Sequence, residues 1–171
     1  VTYDDINTLA VANNGTGLLT ITGGSPAIFA DGNGGDDDQG LESVIFSGTG
    51  DIVLGDHDLD TSETGVGAET LSEIDASALT GDLDLGEIEN IDSEDFSFVS
   101  GSGVTKLTLT DDNLDSTDGT PLDTSDDESG WSFDFSDAAV GSEFHFAPDW
   151  TPPDFVDGSK LTINMGPNAV L

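Results

Sequence analysis

Basic residues are almost missing from this chain. Lys106 and Lys160 stand alone against 36 Asp and Glu in 171 residues, for a formal charge of −34, and there is no arginine. With no basic stripe to replace counterions on phosphates, nucleic acid is excluded as a natural partner. Anionic membrane surfaces are disfavoured for the same reason. Without a guanidinium fork, bidentate recognition of anionic substrates is also excluded. Cysteine is absent too, which rules out disulfides, zinc–thiolate sites and thiol nucleophiles. No apolar run approaches the length of a membrane span, so membrane insertion is not expected. Helix signals are nearly absent. The chain opens at Val1, which fits a processed mature form or an excised segment equally.

What the chain has in excess is short carboxylate. There are about three Asp for every Glu, and Asp is the compact, hard oxygen ligand favoured in calcium loops. A folded domain with so little internal neutralisation repels itself strongly, so the positive charge must come from outside. Bound calcium is the first expectation; an acidic surface adapted to high salt is its rival. Apolar residues make up 35% and aromatics 7%, a composition that alone suits disorder. Periodic apolar segments argue instead for a thin core in one domain of ordinary size.

Those segments read as strands. Alternating Val, Ile, Leu, Phe and Thr, bounded by Gly, Asp and Ser, mark 18–22, 44–47, 51–54, 81–85, 96–100, 104–110, 131–136, 143–147 and 161–165. In Trp131–Phe135 and Phe144–Phe146 every second residue is aromatic, which puts the rings on one face. Internal similarity adds a second signal. Residues Leu41–Gly55 lie over Leu71–Gly86 with one residue inserted, and a looser third copy runs from Ile88 through Phe96 to Leu109. Each unit reads strand, Gly-containing corner, strand. The expected fold class is all-β, either a stacked, solenoid-like domain or a sandwich with duplicated hairpins, carrying acidic metal-binding loops. Three regions are expected. Residues 1–16 form an N-terminal arm or edge strand, and 17–130 a repeat-containing β-domain. Residues 131–171 form an aromatic and Pro-rich segment that closes the core or makes an interface. Its interface candidates are Trp131, Phe144, Trp150 and Phe155.

Three acidic clusters are candidate metal sites. Asp31, Asn33, Asp36, Asp37 and Asp38 sit among glycines that let carbonyls and carboxylates converge. Asp56, Asp58 and Asp60 occupy alternate positions after one strand; Asp111, Asn113 and Asp115, with Asp112 between, do so after another. That is the opening spacing of an EF-hand loop. The remaining EF-hand positions fail: Thr61 and Ser116 stand where glycine is needed, and Gly67 and Leu122 where the bidentate acid belongs. Asp126 and Asp127 are candidates to complete the last cluster. His57 and His145 read as exposed residues. No Ser-His-Asp order or phosphate loop is visible, so an enzyme is not expected.

The stretch Asp31–Asp38 resembles a single Gly- and Asp-rich turn of RTX proteins. The repeat units, above all Ile74–Leu85, are similar to the strand-turn repeats of bacterial secreted surface proteins of the S-layer and RTX-adhesin type. That resemblance implies an extracellular or cell-surface location, Ca2+ as the bound ion, and self-association into a filament or surface layer. Two alternatives accompany it: a carbohydrate-binding or adhesion module that uses Trp131, Trp150 and Phe155, and a halophilic acidic-surface domain.

Overall fold

The computed structural model describes residues 8–21, 42–54, 59–60, 72–89, 96–109, 130–147 and 160–171. Those residues form strands and turns with no helix. The strands fall in successive pairs. β1 (Thr8–Asn13) is followed by β2 (Leu19–Thr20), and β3 (Ser43–Gly48) by β4 (Ile52–Val53). A two-residue strand, β5 (Leu59–Asp60), comes next. β6 (Glu73–Leu79) leads to β7 (Leu83–Glu89), and β8 (Phe96–Val99) to β9 (Thr105–Leu109). β10 (Gly130–Phe135) leads to β11 (Ser142–Phe146), and β12 (Lys160–Met165) to β13 (Ala169–Val170).

The first member of each pair enters one sheet, in the order β1-β3-β6-β8-β10-β12. The second member enters the other, in the order β2-β4-β7-β9-β11-β13, with β5 also on β7. Every described pairing is parallel. A sandwich of duplicated antiparallel hairpins is therefore not the fold. Alternating apolar residues could not decide this point, because the period of two is the same in both kinds of sheet.

In-register pairing turns the alternation into columns. Leu9, Val44, Ile74, Phe98, Phe133 and Ile163 lie side by side across the first sheet. In the second, Leu19, Ile52 and Leu83 align. These inward columns meet in one core, where Val44, Phe46, Ile74, Phe98, Leu109, Phe135 and Phe144 are all inaccessible to solvent or nearly so. Rings bridge the sheets: Phe144 lies 5.0 Å from Phe133 and 5.8 Å from Phe135 between centroids. Trp131 meets Phe96 edge-on at 6.4 Å. The aromatic C-terminal segment thus continues both sheets as further strand pairs.

The inserted residue seen in the sequence repeat has a structural counterpart. Ser43, Val44 and Ile45 pair with Glu73, Ile74 and Asp75, whereas Ser47 and Gly48 pair with Ala78 and Leu79. The extra residue is absorbed by a bulge in β6, where the Asp75 carboxylate accepts the Ser77 N–H at 2.8 Å. The third unit, in contrast, starts later than its sequence match suggested. Ile88 belongs to the end of β7 and stacks on Leu109; the next pair begins at Phe96.

Crossing from the first sheet to the second needs a tight corner, and a glycine column makes it possible. A Cβ on Gly81 would sit 2.3 Å from the Gly50 carbonyl oxygen, and one on Gly103 would sit 2.1 Å from that of Gly81. Because both obstacles are backbone, the added atom cannot be accommodated by rotating a side chain. We expect Gly81→Ala to lose about 3 kcal/mol of stability. Gly17→Ala, where nothing lies within 4 Å, should stay within about 0.5 kcal/mol. Denaturant melts of the two variants provide the check.

Candidate functional site

The corners are tied together by side chains as well as by close approach. Asn13 donates through Nδ2 to the carbonyls of Gly17 (2.7 Å) and Asp51 (2.9 Å). The Asp51 carboxylate accepts the Asp82 N–H at 2.9 Å, and the Asp82 carboxylate accepts the Val104 N–H at 2.8 Å. Ser142 takes over at the next corner: its hydroxyl accepts from the Thr105 N–H at 2.9 Å and donates to the Ala139 carbonyl at 2.8 Å. Asn13 thus gives a donor to the next corner, Asp51 and Asp82 each give an acceptor to the turn that follows, and Ser142 gives one to the turn before it. The Gly-Asp dipeptides Gly50-Asp51 and Gly81-Asp82, at matching places in the two clearest repeat units, were the sequence signal for this ladder.

Elsewhere in the sheets Asp satisfies its own local backbone. Asp84 accepts from the Gly86 N–H at 3.1 Å and Asp134 from the Ser136 N–H at 2.8 Å. A one-carbon side chain reaches the N–H two residues on, which Glu does less well. The excess of Asp over Glu, taken above as a calcium signature, therefore has a second physical source. Lys106 has a structural place as well. On the outward face of the second sheet its register neighbours are Asp84 and Glu143, and its Nζ lies 3.8 Å from a Glu143 oxygen. Both side chains are nearly half exposed, so the pair contributes at most about 1 kcal/mol. His145 is exposed on the same face, with Nε2 3.3 Å from Glu143, as expected for an outward strand residue.

The connections between strands are sharply unequal. Crossings from the first sheet to the second are short: 14–18, 49–51, 80–82, 100–104, 136–141 and 166–168. Returns from the second sheet to the next first-sheet strand are mostly long, namely 21–42, 54–72 with β5 inside it, 90–95, 110–129 and 147–159. About two thirds of the 36 acidic residues fall in those returns. All strands within a sheet run the same way, so the points where the returns leave and re-enter lie along one edge of the stack. Neighbouring anchor points are about 4.8 Å apart. Physiological salt screens charge only beyond about 8 Å. Acid-rich segments anchored at that spacing repel one another unless divalent ions or molar salt intervene.

Nearly all the sequence-predicted ligands lie in these returns and outside the described residues: Asp31, Asn33, Asp36, Asp37, Asp38, Asp56, Asp58, Asp111, Asp112, Asn113, Asp115, Asp126 and Asp127. Trp150 and Phe155 lie outside them too. Asp60 is the exception. It stands in β5 opposite Glu89 of β7. Asp56 and Asp58, the other two members of its triplet, and the matching Asp111 group lie outside the described residues. Trp131 and Phe144, named as interface candidates, are 2% and 0% exposed. They are core residues because their strands face them inward, and they present no platform to a sugar or a partner. Among the described residues no group of three or more His, Asp or Glu side chains is placed to hold a metal.

Comparison with protein-family models, with curated proteins and with solved structures finds no match to this chain.

The corner ladder makes a separable prediction. Removing a carboxylate from so acidic a chain relieves repulsion, so alanine alone gives a mixed result. Asp82→Asn removes the charge but keeps the acceptor for Val104; Asp82→Ala removes both. The alanine variant should be less stable than the asparagine variant by about 1 kcal/mol. Equal midpoints in chemical denaturation would show that the bond contributes nothing.

Proposed function

We propose that this chain is an extracellular structural β-protein, a calcium-stabilised subunit of a filament or surface layer, built as a parallel β-solenoid. The observation that carries this reading is the gathering of acid-rich returns along one edge of a two-sheet stack. Six successive strand pairs linked by short corners on one side and long returns on the other are what a coiled chain produces. Such folds are quasi-one-dimensional, with each turn stabilised by its neighbours.

Calcium fits the donor set of the returns. Asp carboxylates lie among Gly and Asn in 31–38 and around Asn113 in 111–115, and calcium accepts six to eight such oxygens in irregular geometry. The residues that would hold it are Asp31, Asp36, Asp37 and Asp38 in one return, Asp56, Asp58 and Asp60 in the next, and Asp111, Asn113 and Asp115 with Asp126 and Asp127 in another. The ion supplies neutralisation. The chain supplies the anchor spacing that makes neutralisation necessary. Weak extracellular sites fill at about 10⁻⁴–10⁻³ M calcium, so export would set the condition for a stable, assembled state.

The test is a melt followed by circular dichroism in chelator, in millimolar calcium, and in molar monovalent salt. Calcium at a hundredfold excess over its dissociation constant should add about 2.7 kcal/mol of stability, and ordered polymers should appear in micrographs. A melting temperature unmoved by calcium but raised by molar salt, which shortens screening to about 3 Å, selects the halophilic domain instead.

A further inference from the structure

The acids are not spread evenly along the stack. Residues 6–30 contain no charged residue at all, and 158–171 contain no acid; every Asp and Glu except Asp4 and Asp5 falls within 31–157. Those two stretches supply the outermost described strands, β1 and β2 at one end and β12 and β13 at the other. Lys160 is the single charge on these four strands. Their inward residues are also different. Leu9, Val11, Leu19, Ile163 and Met165 are only partly buried, although they continue columns that are fully buried one strand further in.

We infer that the two acid-free ends stack head to tail, with β1 and β2 of one copy continuing the sheets past β12 and β13 of another. This rests on the filament reading and names its contact. The direction is fixed by topology. Both sheets run in the same order from the first pair to the last, and all strands within each are parallel. One translation along the stack therefore extends both sheets together. It seats Leu9 beside Ile163 and Val11 beside Met165, closing the half-covered columns. It also brings the outward Thr8 beside the outward Thr162, by continuation of the column Thr8, Ser43, Glu73, Ser97, Ser132 and Thr162. The ends are not self-complementary, so the contact is heterologous and propagates as a fibre. In a molecule of charge −34, the acid-free ends are where two copies approach with least repulsion. Edge strands are commonly blunted by several charges; Lys160 is the single charged residue on these four.

The absence of native cysteine permits a clean test. Within one copy, Thr8 and Thr162 are five strand spacings apart, roughly 24 Å, too far for a disulfide. Across the proposed joint their Cα atoms are one spacing apart, inside the bridging window of about 4.4–6.8 Å. The full chain carrying Thr8→Cys and Thr162→Cys together, mildly oxidised in calcium, should give a ladder of covalent multimers on a non-reducing gel. Each single variant should stop at dimer. Both positions are exposed, and circular dichroism verifies the fold. As a second arm, Thr8→Asp with Thr162→Asp should abolish polymers, and Thr8→Lys with Thr162→Asp should restore them. Polymers in micrographs without a ladder would overturn the head-to-tail contact and leave the filament reading standing. Absence of polymers from the unsubstituted protein in calcium would remove both.

Discussion

Parallel, in-register stacking of strand pairs is the constraint from which the other features follow. Parallel neighbours place like positions side by side, so each inward residue extends a column and each corner lies against the next corner. Gly81 and Gly103 are glycines because backbones pass too closely there for a Cβ, and at Gly50 the Asn13 side chain and the Gly15 carbonyl fill the same space. Asp51 and Asp82 project from equivalent corners, and each can therefore serve the N–H of the following turn. The same regularity lines up the points where the acid-rich returns leave and re-enter along one edge, which local chemistry alone would not do.

This arrangement divides the work of the carboxylates. In the sheets, Asp75, Asp84 and Asp134 bind nearby N–H groups at a bulge or strand end, and those acids are part of the fold. About two thirds of the acids fall in the returns. Their charge is a cost that the thin aromatic and aliphatic core must outweigh. In the proposed reading, a cation supplied from outside would change that balance without adding a single apolar contact, and folding and assembly would respond to the medium. The core itself is continuous through Phe96, Phe98, Trp131, Phe133, Phe135 and Phe144.

Much of the fold was legible in the sequence. The alternation in Phe96–Ser100, Val104–Thr110 and Trp131–Ser136 marks β8, β9 and β10 closely. The one-residue insertion between the two best repeat units marks the β6 bulge. Strand direction was not legible, because a period of two is shared by both pairings. Parallel sheets are usually covered on both faces and read as continuous apolar runs; here the outward face stays polar, so the pattern mimics an antiparallel sheet. Sequence likeness also misled at Ile88, since short Asp- and Leu-rich stretches match one another out of register. The aromatic spacing of Trp131 and Phe144 located their strands but not which face met solvent. For the proposed site, the acid clusters were visible as composition, while their common edge emerges only from topology.

The direction of strand pairing can be measured most directly by nuclear Overhauser contacts between β6 and β8 in the labelled protein. The account predicts Glu73 beside Ser97, Ile74 beside Phe98 and Asp75 beside Val99, all in the same order along the chain. Strong contacts joining Glu73 to Val99 and Asp75 to Ser97, the mark of an antiparallel pair, would contradict it.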